Sequence, residues 1–302
     1  MAYNVLTETD DLCKKKYKRY FDHGCMELSL MQKSDAYLME GKEETFRLEL
    51  KTIPDDVRSQ ALWCGIKSGL RVLDVGCGPG KTTSILHEMI QPEGTIVGID
   101  YSEERISHAR RHYGDKPGID FFVCNLREPL DNIGKFDLIW VRFVLEYYLA
   151  ESFDIVGYLK NALKPGGVLC LLDLDYNCLS HYELPPLIEE LLPRLMNRLM
   201  EKHNFDVYAG RKLYAYLYDH GFGDIQVHMT AHHLIYGSIR NADAFNWMKK
   251  IEVNANRFDD LLNGYPGGYQ TFFSDFRKFF LDPRRFTYTP LILCKGRNIG
   301  SQ

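Results

Sequence analysis

Short runs rich in β-branched and aromatic residues alternate along the chain with longer stretches whose apolar positions recur at helical spacing. The runs at 72–75, 95–100, 119–126, 136–142 and 168–173, one that begins near Ile225, and the last at 286–294 read as seven strands. Residues 10–68 read as helices, the last of them opened by Pro54 and Asp55, which suit a helix start. Another helix begins at Lys81, and Ser102 caps a third, with Glu103 and Glu104 favourable to its dipole. Residues 163–167 place Pro165, Gly166 and Gly167 where a helix stops and a turn starts. Beyond the fifth run, 183–204 is a leucine-rich helical pattern interrupted by Pro185, Pro186 and Pro193. The helix over 208–220 is ended by Gly221, and helices over 241–262 and 269–281 flank a turn at 264–268.

The most specific local pattern is Asp74-Val75-Gly76-Cys77-Gly78-Pro79-Gly80, in which a buried strand runs into a glycine turn and then a helix. Missing Cβ atoms let a bulky group lie against the main chain, and the first N–H groups of the helix face it. Spacing separates the ligand classes that use such turns. Gly80-Lys81-Thr82 imitates the end of a P-loop, but the first P-loop glycine would stand at Val75. A dinucleotide fingerprint would put its third glycine at Lys81, where close helix packing wants a small residue. Lys81 then reads as a solvated first-turn residue. The remaining D-x-G-x-G-x-G pattern resembles the class I S-adenosylmethionine-dependent methyltransferases.

Further residues extend that resemblance. Asp100 ends the second strand, where a carboxylate can accept both ribose hydroxyls. The family often carries an aspartate beside the adenine amino group, and here Asn125 offers an amide oxygen instead. Phe143-Val144-Leu145-Glu146-Tyr147 is similar to the family's VLEH-like segment, with Tyr147 in the histidine position, and 163–167 resembles the turn before its fifth strand. The resemblance implies an α/β fold: a doubly wound, mostly parallel seven-stranded sheet with helices on both faces and a reversed last strand, plus N-terminal and inserted helices. It implies S-adenosylmethionine as cofactor, S-adenosylhomocysteine as product, and a binding set of Tyr37, Arg47, Asp74, Gly76, Cys77, Gly78, Gly80, Asp100, Tyr101, Asn125, Leu126, Val141 and Arg142. Tyr37 and Arg47 enter because some small-molecule methyltransferases set a tyrosine and an arginine against the methionine carboxylate. For Arg47, among Glu43, Glu44 and Glu49, a solvated helix arginine is the competing reading. The expected organisation is a helical cap over 1–59, a Rossmann-like core over 60–175, a helical insertion over 176–207, and the rest of the core over 208–302 with inserted helices at 240–282.

Composition narrows the function. A formal charge of −4 and a pI near 6.2 provide no basic face for nucleic acid. No apolar run approaches a membrane span of ~18 residues, and the acids Glu8, Asp10 and Asp11 do not fit a signal peptide, so a cytoplasmic protein without membrane insertion is expected. None of the eight cysteines forms a C-x-x-C pair, so no metal is expected and the thiols read as reduced and structural.

Methyl transfer from a sulfonium is an in-line displacement that needs positioning and exclusion of water more than catalytic side chains. For an acceptor that loses a proton, Tyr147, His181 and His232 are candidates, with Glu146 and His233 beside them; a lone His or Tyr on such segments more often packs or faces water. His232 and His233 alternate faces in a strand, so at most one points into a pocket. Aromatic residues in the added segments, among them Tyr17, Tyr20, Tyr214, Tyr218, Phe245, Trp247, Tyr265 and Phe272, suit an apolar or aromatic small-molecule acceptor, helix packing or a homodimer face. A non-catalytic S-adenosylmethionine-binding regulatory protein and a P-loop nucleotide enzyme stay open as alternatives.

Overall fold

The computed structural model describes residues 42–130, 133–254 and 259–300. Tyr37, Tyr17, Tyr20 and the first part of the helical cap lie outside the described residues. Within them the chain forms α1 (Lys42–Lys51), α2 (Pro54–Cys64), β1 (Arg71–Val75), α3 (Lys81–Ile90), β2 (Thr95–Asp100), α4 (Glu103–Tyr113), β3 (Ile119–Val123) and β4 (Phe136–Arg142). A 3-10 turn at Leu145–Tyr147 leads to α5 (Ser152–Asn161), β5 (Leu163–Leu174), β6 (His181–Tyr182), α6 (Pro186–His203), α7 (Ala209–Asp219) and β7 (Gly223–Tyr236). The last elements are α8 (Asn241–Asn254), α9 (Asp259–Asn263), α10 (Gly268–Leu281) and β8 (Phe286–Arg297).

The sheet runs β3-β2-β1-β4-β5-β8-β6, with β7 paired to β8. The first five strands pair in parallel, and β8 runs antiparallel to β5, with Leu171 opposite Cys294. Seven of these eight strands are the expected ones, including the reversed last strand; the eighth is the two-residue β6. Side chains alternate across the sheet, which explains the unbroken apolar runs. Leu73, Val75, Ile139 and Val141 pack on one face with Leu159 of α5 and Leu213 and Leu217 of α7. Val72, Ile96, Leu138 and Trp140 pack on the other with Val57 and Ala61 of α2, Leu86 of α3 and Ile106 of α4.

Local signals act as expected at most boundaries. Pro54 occupies the first turn of α2, Ser102 accepts the Arg105 N–H at 3.4 Å, and Gly221 follows α7 with φ +67°. The turn expected at 163–167 lies inside β5: Phe136 pairs with Leu163 and Leu138 with Val168, so the ladder steps over 164–167, where Gly166 takes left-handed backbone with φ +77°. One expectation needs correction. Pro193 does not interrupt the leucine-rich helix, which continues through it from Pro186 to His203. Proline removes one backbone hydrogen bond, and burial of Ile188, Leu191, Leu195 and Leu199 offsets that loss.

Two compact units are distinguished among the described residues, one comprising 42–180, 196–232 and 288–300, the other His181–Leu195 and His233–Thr287. The second closes its own aromatic core, in which Trp247 lies 4.8 Å from the Phe280 ring and Phe276 stacks on Phe280 at 5.5 Å. Packing is thus what Phe245, Trp247, Tyr265 and Phe272 do, since all four are buried, whereas Tyr214 and Tyr218 of the first unit are exposed.

Candidate functional site

The strand order changes its direction of travel between β1 and β4, and in such sheets ligands bind beyond the carboxyl ends of the strands at that point. β1 ends there in the glycine turn. Gly76, Gly78 and Gly80 all adopt left-handed backbone, with φ of +68°, +55° and +96°. What crowds them differs from the simple expectation of a bulky ligand. A Cβ on Gly76 would stand 2.4 Å from Val144 Cγ2, and one on Gly80 would stand 2.8 Å from Ala109 Cβ, so both glycines serve close protein packing. Gly78 alone of the three is open, its nearest neighbour being Leu48 Cδ1 at 3.7 Å.

Asp100, at the end of β2, is tied to this turn. Its Oδ2 accepts the Gly78 N–H at 2.9 Å and its Oδ1 accepts the Ser102 N–H at 2.9 Å, with Arg105 Nε 3.6 Å away. A carboxylate has about four acceptor positions, so these bonds leave it capacity for a hydroxyl. Tyr101 beside it exposes its ring. Asn125, after β3, is half-buried; its Oδ1 accepts the Arg127 N–H at 3.2 Å and its Nδ2 donates to Glu128 at 3.0 Å. Leu126 and Val141 are core residues.

Asp74 and Cys77 face inward. Asp74 Oδ2 accepts the Thr83 hydroxyl at 2.6 Å, which ties β1 to the first turn of α3. Burial pushes its pKa up to about 7 despite the Thr83 hydrogen bond and the charge of Arg142, which pull it down. The Cys77 side chain fills the core, its backbone N–H bonds the Ile99 carbonyl at 2.9 Å, and burial drives its thiol pKa well above the ordinary value.

The N-terminal helix α1 lies against the turn. Lys81 is not the solvated residue expected: its Nζ donates to the Glu49 carbonyl at 2.6 Å, and burial lowers its pKa while Glu49 raises it. Tyr113 also donates to the Glu49 carboxylate, at 3.1 Å. Arg47 is buried, 2% exposed, so it is not a solvated helix arginine. At the end of β4, Arg142 Nε donates to Gln60 at 2.9 Å and its guanidinium lies 4.1 Å from the Phe143 ring centroid; burial lowers its pKa to about 10. Phe143 has φ +58°, strained backbone of the kind that gathers at functional sites. His232 lies 4.9 Å from the same ring, and Lys51 5.3 Å.

The three candidate bases fall in two units. Tyr147 packs edge-on to Phe205 at 5.3 Å, in the same unit as His232. His181 belongs to the other unit, where its Nδ1 lies 2.8 Å from Thr287 Oγ1 and its ring meets Trp247 at 5.4 Å. His233 has φ +50°, which breaks the strand alternation assumed for the two histidines. Four residues that sequence reasoning did not single out support the site: Thr83, Arg105, Gln60 and Asp173. The last, buried at the end of β5, accepts the N–H groups of Glu146 at 3.1 Å and Leu174 at 2.9 Å. Burial, with the neighbouring Glu146, pushes its pKa well above the ordinary value. Only Asp173 had a legible signal, as an acid ending an apolar strand.

A family model described as a methyltransferase domain matches residues 66–221. Demethylmenaquinone methyltransferase of Lactococcus lactis is 30% identical over 124 residues, covering 39% of this chain and 48% of that protein. Trans-aconitate 2-methyltransferase of Methylobacterium nodulans is 32% identical over 129 residues, 43% of each chain. The chain thus spans less than half the length of these curated relatives. Among solved structures, the YcgJ protein of Bacillus subtilis has the same fold at a TM-score of 0.55 and 17% identity, covering 82% of this chain and 99% of that one.

Proposed function

Since this chain belongs to the methyltransferase-domain family, we propose that it transfers a methyl group from S-adenosylmethionine to an O, N or C atom of a small, apolar or aromatic molecule. The observation that carries this reading is the bond from the Gly78 N–H to Asp100 at the switch point of the sheet. It holds an acidic hydroxyl acceptor beside the one glycine of the turn whose Cα is open, which fits a ribose-bearing cofactor. Asp100 would receive the ribose, Gly78 and Tyr101 would flank it, Asn125 would meet the adenine edge, and Arg47 with Tyr37 would meet the methionine carboxylate. When bound, the cofactor supplies a sulfonium-activated methyl group.

The chain's own contribution is positional. α1 and the glycine turn wall off one side, the strained Phe143 with Arg142 closes the end of β4, and His232 or Tyr147 takes the proton where the acceptor loses one. A P-loop reading is disfavoured by Lys81, whose ammonium is engaged by the Glu49 carbonyl rather than directed into a phosphate loop. The thiols of Cys64, Cys77, Cys124, Cys170 and Cys294 are free, in keeping with a reducing, cytoplasmic setting.

Calorimetry with S-adenosylhomocysteine, S-adenosylmethionine and ATP tests the cofactor. Binding of the first two is expected, weakened about tenfold or more by Asp100→Ala, which removes a charged acceptor. ATP binding without S-adenosylmethionine binding would sink the reading. Incubation with methyl-labelled cofactor and cell extract is expected to label a small molecule; label on RNA or protein alone would overturn the acceptor class.

A further inference from the structure

β7 is an edge strand. Among the described residues it pairs with β8 alone, and the other side of β8 is taken by β5, so the outer edge of β7 has no strand partner. An open edge is a template for another chain, and natural sheets blunt it with short strands, charges or proline. β3, the strand at the far end of the sheet, follows that rule: it is five residues long and exposes Asp120. β7 does not. Left-handed backbone at Asp224 (φ +48°) and His233 (φ +50°) bounds a run over 225–232 that contains no Lys, Arg, Asp, Glu or Pro. Residues 226–231 are all exposed, Val227 by 52% and Met229 by 65%.

Within that run apolar and polar residues alternate strictly. Ile225, Val227, Met229 and Ala231 share one face, on which Ile225 packs against the core cluster of Leu213 and Leu217. Gln226, His228 and Thr230 share the other, where the His228 ring lies 5.8 Å from Trp63. The pattern reads the same in both directions about His228. An antiparallel copy related by a two-fold axis at that residue sets Val227 opposite Met229, Ile225 opposite Ala231 and Gln226 opposite Thr230. Apolar then meets apolar, polar meets polar, and no like charges face each other. A slip of one residue would set Val227 opposite Thr230 and lose the match. The edge is thus complementary to itself, which is the requirement of an interface between identical copies.

We infer that β7 pairs antiparallel with β7 of a second copy of this chain about a two-fold axis at His228, so that the two sheets run on as one. The inference stands apart from methyl transfer, since no residue assigned to the cofactor takes part. Sedimentation equilibrium of the full chain is expected to show a dimer of the 35.1 kDa protomer that dissociates on dilution. V227K/M229K sets like charges opposite each other twice and is expected to raise the dissociation constant about a hundredfold. V227K/M229E sets each introduced lysine opposite a glutamate and is expected to recover most of that loss. A two-residue slip would instead set Met229 opposite itself, and the same variant would then weaken the dimer further. Both positions are exposed, and thermal melting checks that each variant is folded. H228K, which faces its own copy across the axis, is expected to weaken the dimer about tenfold and replaces any double variant that unfolds. A monomer at every concentration, assemblies that grow beyond two copies, a dimer unmoved by V227K/M229K or H228K, or no recovery in V227K/M229E would overturn the proposal.

Discussion

Gly76, Gly78 and Gly80 share a left-handed backbone but not the same surroundings, and this separates conformational cost from steric cost. Alanine at Gly78 meets only a van der Waals contact, so G78A is expected to lose about 1–2 kcal/mol from the backbone alone. G76A and G80A add contacts of 2.4 and 2.8 Å, which no rotamer change of the new methyl can relieve, and are expected to cost a few kcal/mol more. Urea unfolding of the three variants checks this order, which fails if G78A is as damaging as the others. Asp74 makes a second prediction. Its folded-state pKa of about 7 lies above the ordinary 3.8, so the native state holds the extra proton between those values. The contribution is therefore complete below about pH 4 and is lost as pH rises towards 7, by up to about 4 kcal/mol. D74N keeps an oxygen for Thr83 and cannot ionise, so its stability relative to the parent should climb across that window. A difference that stays flat from pH 4 to 7 would show that Asp74 titrates normally.

Among the elements, α1 depends on contacts that come from far along the chain. Lys81 grips the Glu49 carbonyl and Tyr113 the Glu49 carboxylate, so K81A should loosen Lys42–Lys51 without unfolding the sheet. Amide exchange in α1 should rise about tenfold, equivalent to ~1.4 kcal/mol of local opening, while the β1 and β4 amides stay unchanged. Uniform exchange across both would mean that the strap is not local. The same contact marks the limit of what the sequence discloses. β1, β2, β4 and β5 were legible because burial on both faces demands apolar runs, and α2, α4 and α7 because Pro54, Ser102 and Gly221 act on their own neighbours. Lys81 was misread because its partner lies 32 residues away, and Pro193 because the packing of Ile188 to Leu199 outweighs a local breaker. The glycine turn and Asp100 could be found from spacing alone. Arg105, Thr83 and Gln60 could not, since an arginine, a threonine and a glutamine on helices look alike whether they brace a charged group or face water.

For the whole molecule, linkage supplies a test that needs no acceptor. A ligand that binds only the folded state at about 100 times its Kd stabilises by about 2.7 kcal/mol, roughly 5–10 °C at the ~2–4 °C per kcal/mol of a domain of ~150–250 residues. S-adenosylhomocysteine should produce that shift, ATP should not, and D100A should lose about half of it or more at the same ligand concentration. The tryptophans allow the shift to be assigned. Trp63 and Trp140 lie in the unit that carries the glycine turn, whereas Trp247 lies in the aromatic core of the other. Trp247 Nε1 has no hydrogen-bond partner, so W247F removes that signal without forfeiting a bond, at the cost of some packing in its own unit. Fluorescence unfolding of W247F then reports the site-bearing unit alone, and its midpoint should rise with S-adenosylhomocysteine by as much as in the parent. If the midpoint stays still while binding persists, the ligand is held by the other unit, and the glycine turn is not its seat.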